Sequence, residues 1–192
     1  MISRESTVIE KKLMDVINKL RDSPTTFKKL LDSKLGNFKG NIYSVKQGNV
    51  VYNTETHEGA AAVKEAISFL DKQTPCLPLK WVQGLNNASE EVREKLGKNG
   101  STHTEGGDRL NEIILKYGTY EGSLNQLVCF GDQDADEIVA TWLVGDGDNA
   151  RTARKNLFNK DFKFAGAALG SHQSDFKYCG VVHFVSGKWS DK

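Results

Sequence analysis

The chain has 192 residues, 38% of them hydrophobic and 27% charged, with 26 basic against 25 acidic side chains. That length suits one domain around one core, and that balance describes a soluble globular chain rather than a disordered one. A net charge of +1 gives no general attraction to nucleic acid, and no apolar run reaches bilayer length.

The first residues, Met1-Ile2-Ser3-Arg4-Glu5-Ser6, lead into a charged amphipathic segment without an apolar signal region. Val8, Ile9, Leu13, Val16, Ile17 and Leu20 recur at helical spacing, with Thr7 and Glu10 placed for a capping box. Ser23-Pro24 stops this helix, and Pro24 opens a second short one through Leu31. Residues 36–53 are loop-rich, with Val45 and Val50-Val51-Tyr52 suited to a small edge hairpin. Residues 56–70 are predicted as a helix buried through Val63, Ala66, Ile67 and Leu70. Pro75 and Pro78 turn the chain into Leu79-Lys80-Trp81; Leu85, Ala88, Val92 and Leu96 then mark a helix closed by Gly97 and Gly100.

A polar turn, His103-Thr104-Glu105-Gly106-Gly107, precedes an amphipathic helix over 108–117. Residues 124–130 are apolar on both alternating faces apart from Asn125 and Gln126, which suits a central strand covered on both sides. Asp132, Asp134, Asp136 and Glu137 stand at the start of a helix reaching Val144, where negative charge meets the helix dipole. Residues 151–158 form another helix begun by Asp148 or Asn149, and 162–169 and 178–185 read as the last strands. One α/β unit follows, with these strands and 124–130 in a mainly antiparallel sheet between helices.

Cys76, Cys129 and Cys179 are too few and too widely spaced for a disulfide framework or a zinc ribbon. Cys129 and Cys179 lie in apolar stretches, where free cysteine acts as a small hydrophobe. Reduced thiols point to the cytosol. Asp132-Gln133-Asp134-Ala135-Asp136 and Asp146-Gly147-Asp148-Asn149 lack the glycine and glutamate of a calcium loop, and no serine sits in a nucleophile elbow.

Taken in order, the segments resemble the CAP superfamily (cysteine-rich secretory proteins, antigen 5 and pathogenesis-related proteins), in particular its cysteine-poor branch of bacteria and single-celled eukaryotes. Ile17-Asn18-Lys19-Leu20-Arg21 before Pro24 resembles that branch's opening helix, and Leu35-Gly36-Asn37-Phe38-Lys39-Gly40 its following loop. Glu58-Gly59-Ala60-Ala61-Ala62-Val63 is similar to its second long helix, and Leu79-Lys80-Trp81 with Leu85 to the start of the next. Gly107-Asp108-Arg109-Leu110 continues the pattern, and Arg154-Lys155-Asn156-Leu157-Phe158-Asn159 is similar to the family's most recognisable segment. The resemblance covers nearly the whole chain and implies one domain over residues 1–192, a three-layer α-β-α sandwich.

The resemblance also implies a groove built from two histidines and two glutamates. Carried over position by position, the first histidine is His103 and the second glutamate is Glu137. The first glutamate, counted back from Phe130-Gly131-Asp132, falls on Gln126, and the second histidine falls on Ala153. One acid is thus an amide and one imidazole a methyl group. Ala153 has no donor and Gln126 offers a neutral oxygen, so too few strong ligands remain for zinc. A buried amide such as Gln126 needs hydrogen bonds, which a groove shared with His103 and Glu137 would supply.

No metal, no cofactor and no catalytic residue is expected. The expected function is a non-enzymatic module for protein interaction or structure, placed in a larger cytoplasmic assembly of cytoskeletal or ciliary kind. One alternative is a metal-dependent hydrolase with His103 as base and Glu137 as its orienter. Another is a lipid or sterol carrier, an activity the resemblance brings with it, although no basic amphipathic membrane helix is present. Arg151, Arg154 and Lys155 lie on adjacent helical turns and could face an acidic partner or be ordinary solvated charge.

Overall fold

The computed structural model describes residues 7–104 and 106–192; the first six residues and Glu105 of the polar turn lie outside this range. The chain opens with α1 (Val8–Asp22), a short 3-10 turn (Pro24–Phe27) and α2 (Lys28–Leu35). The capping box forms as the spacing predicts: the Thr7 amide donates to the Glu10 carboxylate and the Glu10 amide to the Thr7 hydroxyl. Three short strands follow, β1 (Phe38–Lys39), β2 (Ile42–Gln47) and β3 (Val50–Glu55), paired antiparallel in that order as a sheet of their own. The expected small hairpin is thus present, extended to six residues on each arm.

Then come α3 (Ala60–Lys72), β4 (Lys80–Trp81), α4 (Gln83–Asn99), α5 (Gly107–Tyr117), β5 (Gly118–Tyr120), β6 (Leu124–Phe130), α6 (Ala135–Val144) and α7 (Thr152–Leu157). The chain ends in β7 (Phe162–Ser171), β8 (Tyr178–Ser186) and β9 (Trp189–Asp191). The main sheet has the order β4-β7-β8-β6; β7 with β8 and β8 with β6 are antiparallel, while β4 runs parallel to β7. Residues 124–130 therefore form an edge strand, not the central one. Their two apolar faces reflect cover above and below, which says nothing about neighbours to the side.

Strand alternation divides the core. Leu127, Cys129, Val182 and Phe184 pack with α1, α2, α3, α6 and α7 in one cluster. Val128, Val181 and Val185 face α4 and α5 in the other, with Leu85, Val92, Ile113 and Ile114. This is the expected α-β-α sandwich. α4 lies almost directly on β7: a Cβ at Gly166 would stand 2.4 Å from the Asn86 amide nitrogen and the Leu85 carbonyl carbon. β4 covers only the start of β7, and other groups cover the edge beyond it. The Ala167 amide donates to the Asn86 side chain and the Leu169 amide to the Glu10 carboxylate.

Arg21 ties the first layer to later parts of the chain. Its guanidinium is fully buried and donates to the carbonyls of Leu77, Leu157, Asn159 and Phe162. Burial lowers its pKa despite these partners. The Arg21 carbonyl in turn accepts from the Cys76 amide.

Candidate functional site

The four carried-over positions divide between the two helical layers, with edge strand β6 between them. Glu137 lies in the first turn of α6, where Asp134 caps the helix by accepting from the amides of Asp136 and Glu137. The Glu137 carboxylate pairs with Lys34 of α2. Burial opposes charge on Lys34, but the hydrogen bond and Coulombic attraction from Glu137 outweigh it and raise its pKa. The Lys34 ammonium also stands 5.7 Å from the centre of the Tyr43 ring. Burial first, and then the nearby Glu137 charge, raises the pKa of Asp132 at the same helix end.

Ala153 sits in α7 and packs against the first core cluster. Its neighbour Asn156 donates to Asn125 of β6 at 3.4 Å, so the β6 side chain turned toward α7 is Asn125. Gln126, one residue on, points to the opposite face, as period-two alternation requires. There it meets His183 directly across the β6–β8 ladder. Gln126 Oε1 lies 2.8 Å from His183 Nε2, and His183 Nδ1 lies 2.8 Å from the Ser89 hydroxyl of α4. The Ser89 hydroxyl is also 3.1 Å from the Gly166 carbonyl. As placed, the amide oxygen accepts from Nε2–H, which leaves Nδ1 to accept the single Ser89 proton.

His183 and Ser89 are both 0% exposed. Burial lowers the His183 pKa to about 3, so its imidazole is neutral at ordinary pH. A serine beside a histidine invites a nucleophile–base reading. Here no substrate carbonyl can reach Ser89, and the third member is a neutral amide without a carboxylate's charge. The row acts instead as a polar tie between α4, β8 and β6. Sequence reading missed it, although His183 is the lone polar side chain within Val181-Val182-His183-Phe184-Val185.

His103 is exposed in the loop joining α4 to α5, with its amide donating to the Ser101 hydroxyl. Among the described residues, Gln126 bonds to His183, Glu137 to Lys34 and the His103 amide to Ser101. This donor set does not fit zinc: the Glu137 carboxylate is held by an ammonium, the Gln126 oxygen by an imidazole, and Ala153 brings none. Among the described residues, no group of three histidine, cysteine, aspartate or glutamate side chains is placed to hold a metal ion. All three cysteines are free and buried, and burial pushes the Cys129 thiol up to about 12. It is inert at neutral pH.

The basic set is only in part a surface feature, which corrects the partner-facing reading for Arg154. Arg154 is 2% exposed; it donates to the carbonyls of Leu143 and Val144 and to Glu65, and lies over the Phe69 ring. Arg151 forks onto both Glu58 oxygens at 2.7 Å and also reaches Glu65. That fork, with the Gly147 amide, lowers the Glu58 pKa to about 2. Lys155 alone of the three is exposed.

The chain is similar to an outer surface protein of Borrelia burgdorferi, at 23% identity and a TM-score of 0.48, over 65% of this chain and 89% of that one. It is similar to a cysteine-rich secretory protein of Staphylococcus aureus at 14% identity and a TM-score of 0.42, over 76% of this chain and 54% of that one. An extracellular protein of Bacillus anthracis with an SCP domain gives 15% identity and a TM-score of 0.43, over 65% of this chain and 38% of that one. This chain therefore spans well under two thirds of the last two. Comparison with curated proteins gives no match. No helix among the described residues is long and apolar enough to cross a membrane. The family model for the cysteine-rich secretory protein family, CAP, matches residues 14–186, nearly the full length, and the chain belongs to that family.

Proposed function

We propose that this CAP-domain protein is a non-enzymatic module for protein interaction or structure. One observation carries the reading: three of the four groove positions are committed internally. Glu137 is ion-paired to Lys34, Gln126 is bonded to buried His183, and Ala153 is packed on the core. A general base needs a free lone pair beside substrate, and an orienter needs to touch that base. His103 is exposed but its described contact is a backbone one to Ser101. A reducing, cytoplasmic setting is consistent with three free, buried thiols.

Two measurements test the reading. Tagged protein recovered from its own cells is expected to carry a stoichiometric set of proteins, cytoskeletal or ciliary components among the candidates. Zinc titrated into the purified protein by calorimetry at neutral pH is expected to bind weakly, because the donor set is incomplete. Tight zinc binding that is lost in His103→Ala would revive the hydrolase reading and remove this one.

A further inference from the structure

We infer that the outer edge of β3 is a self-pairing surface, on which a second copy of this chain docks its own β3 antiparallel. Three observations carry this. The first is the direction of the backbone groups. The Thr56 amide donates to the Asn41 carbonyl, directly across the ladder next to the Ile42–Glu55 pair. Hydrogen-bonded and non-bonded pairs alternate along an antiparallel ladder. Val50, Tyr52 and Thr54 therefore turn their amides and carbonyls toward β2, and Val51, Asn53 and Glu55 turn theirs outward. On the other side of β2, the Ser44 amide donating to the Asn37 carbonyl agrees with this phase. Among the described residues, no strand pairs with that outer side.

The second observation is a contrast within the molecule. The open part of the β7 edge is covered by Asn86 and Glu10. Among the described residues the β3 edge lacks such cover, and its sequence, Val50-Val51-Tyr52-Asn53-Thr54-Glu55, has none of the lysines, prolines or bulges that usually keep strand edges apart. Val50 is 52%, Val51 55% and Tyr52 54% exposed.

The third is the match of the strand to itself. A two-fold axis midway between the Tyr52 residues of the two copies, normal to the sheet, keeps each side chain on its own face. It sets Val51 against Asn53 of the second copy, with backbone groups from both pointing into the seam. Tyr52 then meets Tyr52, Val50 meets Thr54, and Glu55 meets Asn49, so no like charges oppose one another. With a net charge of only +1, two copies repel weakly. A two-strand seam is small, below about 1,200 Å², so the association is weak and depends on concentration.

This deepens the interaction-module reading by giving it one surface, and it rests on that reading only to that extent. Sedimentation velocity on the whole chain, over a series reaching millimolar protein, is expected to show a monomer–dimer equilibrium. Val51→Pro removes an outward amide, and Val51→Lys puts charge in the seam; neither touches a β2–β3 hydrogen bond. Each should weaken the dimer by about tenfold or more, with circular dichroism unchanged. Tyr52→Cys should cross-link to itself under mild oxidation, while an exposed control, Ser33→Cys, should not. A wild type that stays monomeric throughout, or a dimer untouched by both Val51 variants, overturns the inference. Binding of monomer to phosphatidylserine vesicles through the hairpin overturns it too. A monomer that still recovers stoichiometric protein partners refutes the pairing and leaves the module reading standing.

Discussion

His183 shows how one residue makes a fold sensitive to pH. Buried among α4, β6 and β8, its imidazole has a pKa near 3, against 6.5 for an ordinary histidine. In the unfolded chain it takes up a proton below pH 6.5; in the fold it does not. Its contribution is therefore complete above that pH and is lost as pH falls toward 3. The slope is at most about 1.4 kcal/mol per pH unit for one proton. Urea unfolding at pH 7, 6 and 5 should show this loss before the paired carboxylates begin to protonate, and His183→Gln should remove it in that window. An equal slope in the variant would mean that another group is responsible. Arg154 makes a second test at this scale. Arg154→Ala strands the Leu143 and Val144 carbonyls and leaves Glu65 with Arg151 as its remaining arginine partner, so it should cost about 3 kcal/mol in chemical denaturation. A partner-facing surface arginine would cost almost nothing.

At the scale of elements, Glu10 connects two that are far apart in sequence. One carboxylate oxygen closes the capping box of α1 and the other accepts from the Leu169 amide on β7. Thr7→Ala should cost about 1 kcal/mol, the usual value of a cap. Glu10→Ala should cost about 2 kcal/mol or more, since it also leaves a sheet-edge amide without its acceptor. Hydrogen exchange at Leu169 should quicken in Glu10→Ala and stay slow in Thr7→Ala. Gly166 marks the closest meeting of elements, α4 on β7. Gly166→Ala should lower stability by about 3 kcal/mol, the upper range for overpacking, because the obstacle is backbone and cannot rotate away. The thermal midpoint, followed by circular dichroism, measures it.

For the molecule as a whole, what could be read from sequence follows the range of the forces involved. The stripe Leu13, Ile17 and Leu20 fixed α1, and the Thr7–Glu10 spacing fixed its cap, because both are settled within one or two turns. The short strands β4, β5 and β9 were not legible: two or three residues carry no period, and their partners lie far along the chain. Sheet order was hidden likewise, which is why residues 124–130 read as central and stand at an edge. In the candidate site, Glu137 was legible as an acid at a helix start, but not its partner Lys34 on α2. Gln126 was legible as a buried amide in need of hydrogen bonds. Which face it takes depends on a one-residue register, and the structure sends it to His183 rather than toward α7.

Arg21 has a consequence for the order in which the chain becomes a protein. Its helix is made among the first residues, yet three of its four acceptors, on Leu157, Asn159 and Phe162, lie in the last fifth of the sequence. While a ribosome is still reading α6, only the Leu77 carbonyl of the four has been made, and the other donors of a guanidinium that the finished core encloses are left to water. α1 must stay hydrated and loosely held until α7 and the start of β7 have emerged. Such long-range closure favours slow folding after release over stepwise folding from the N-terminus. Ribosome-bound chains stalled after residue 150 should remain open to protease within α1, and full-length released chains should resist it.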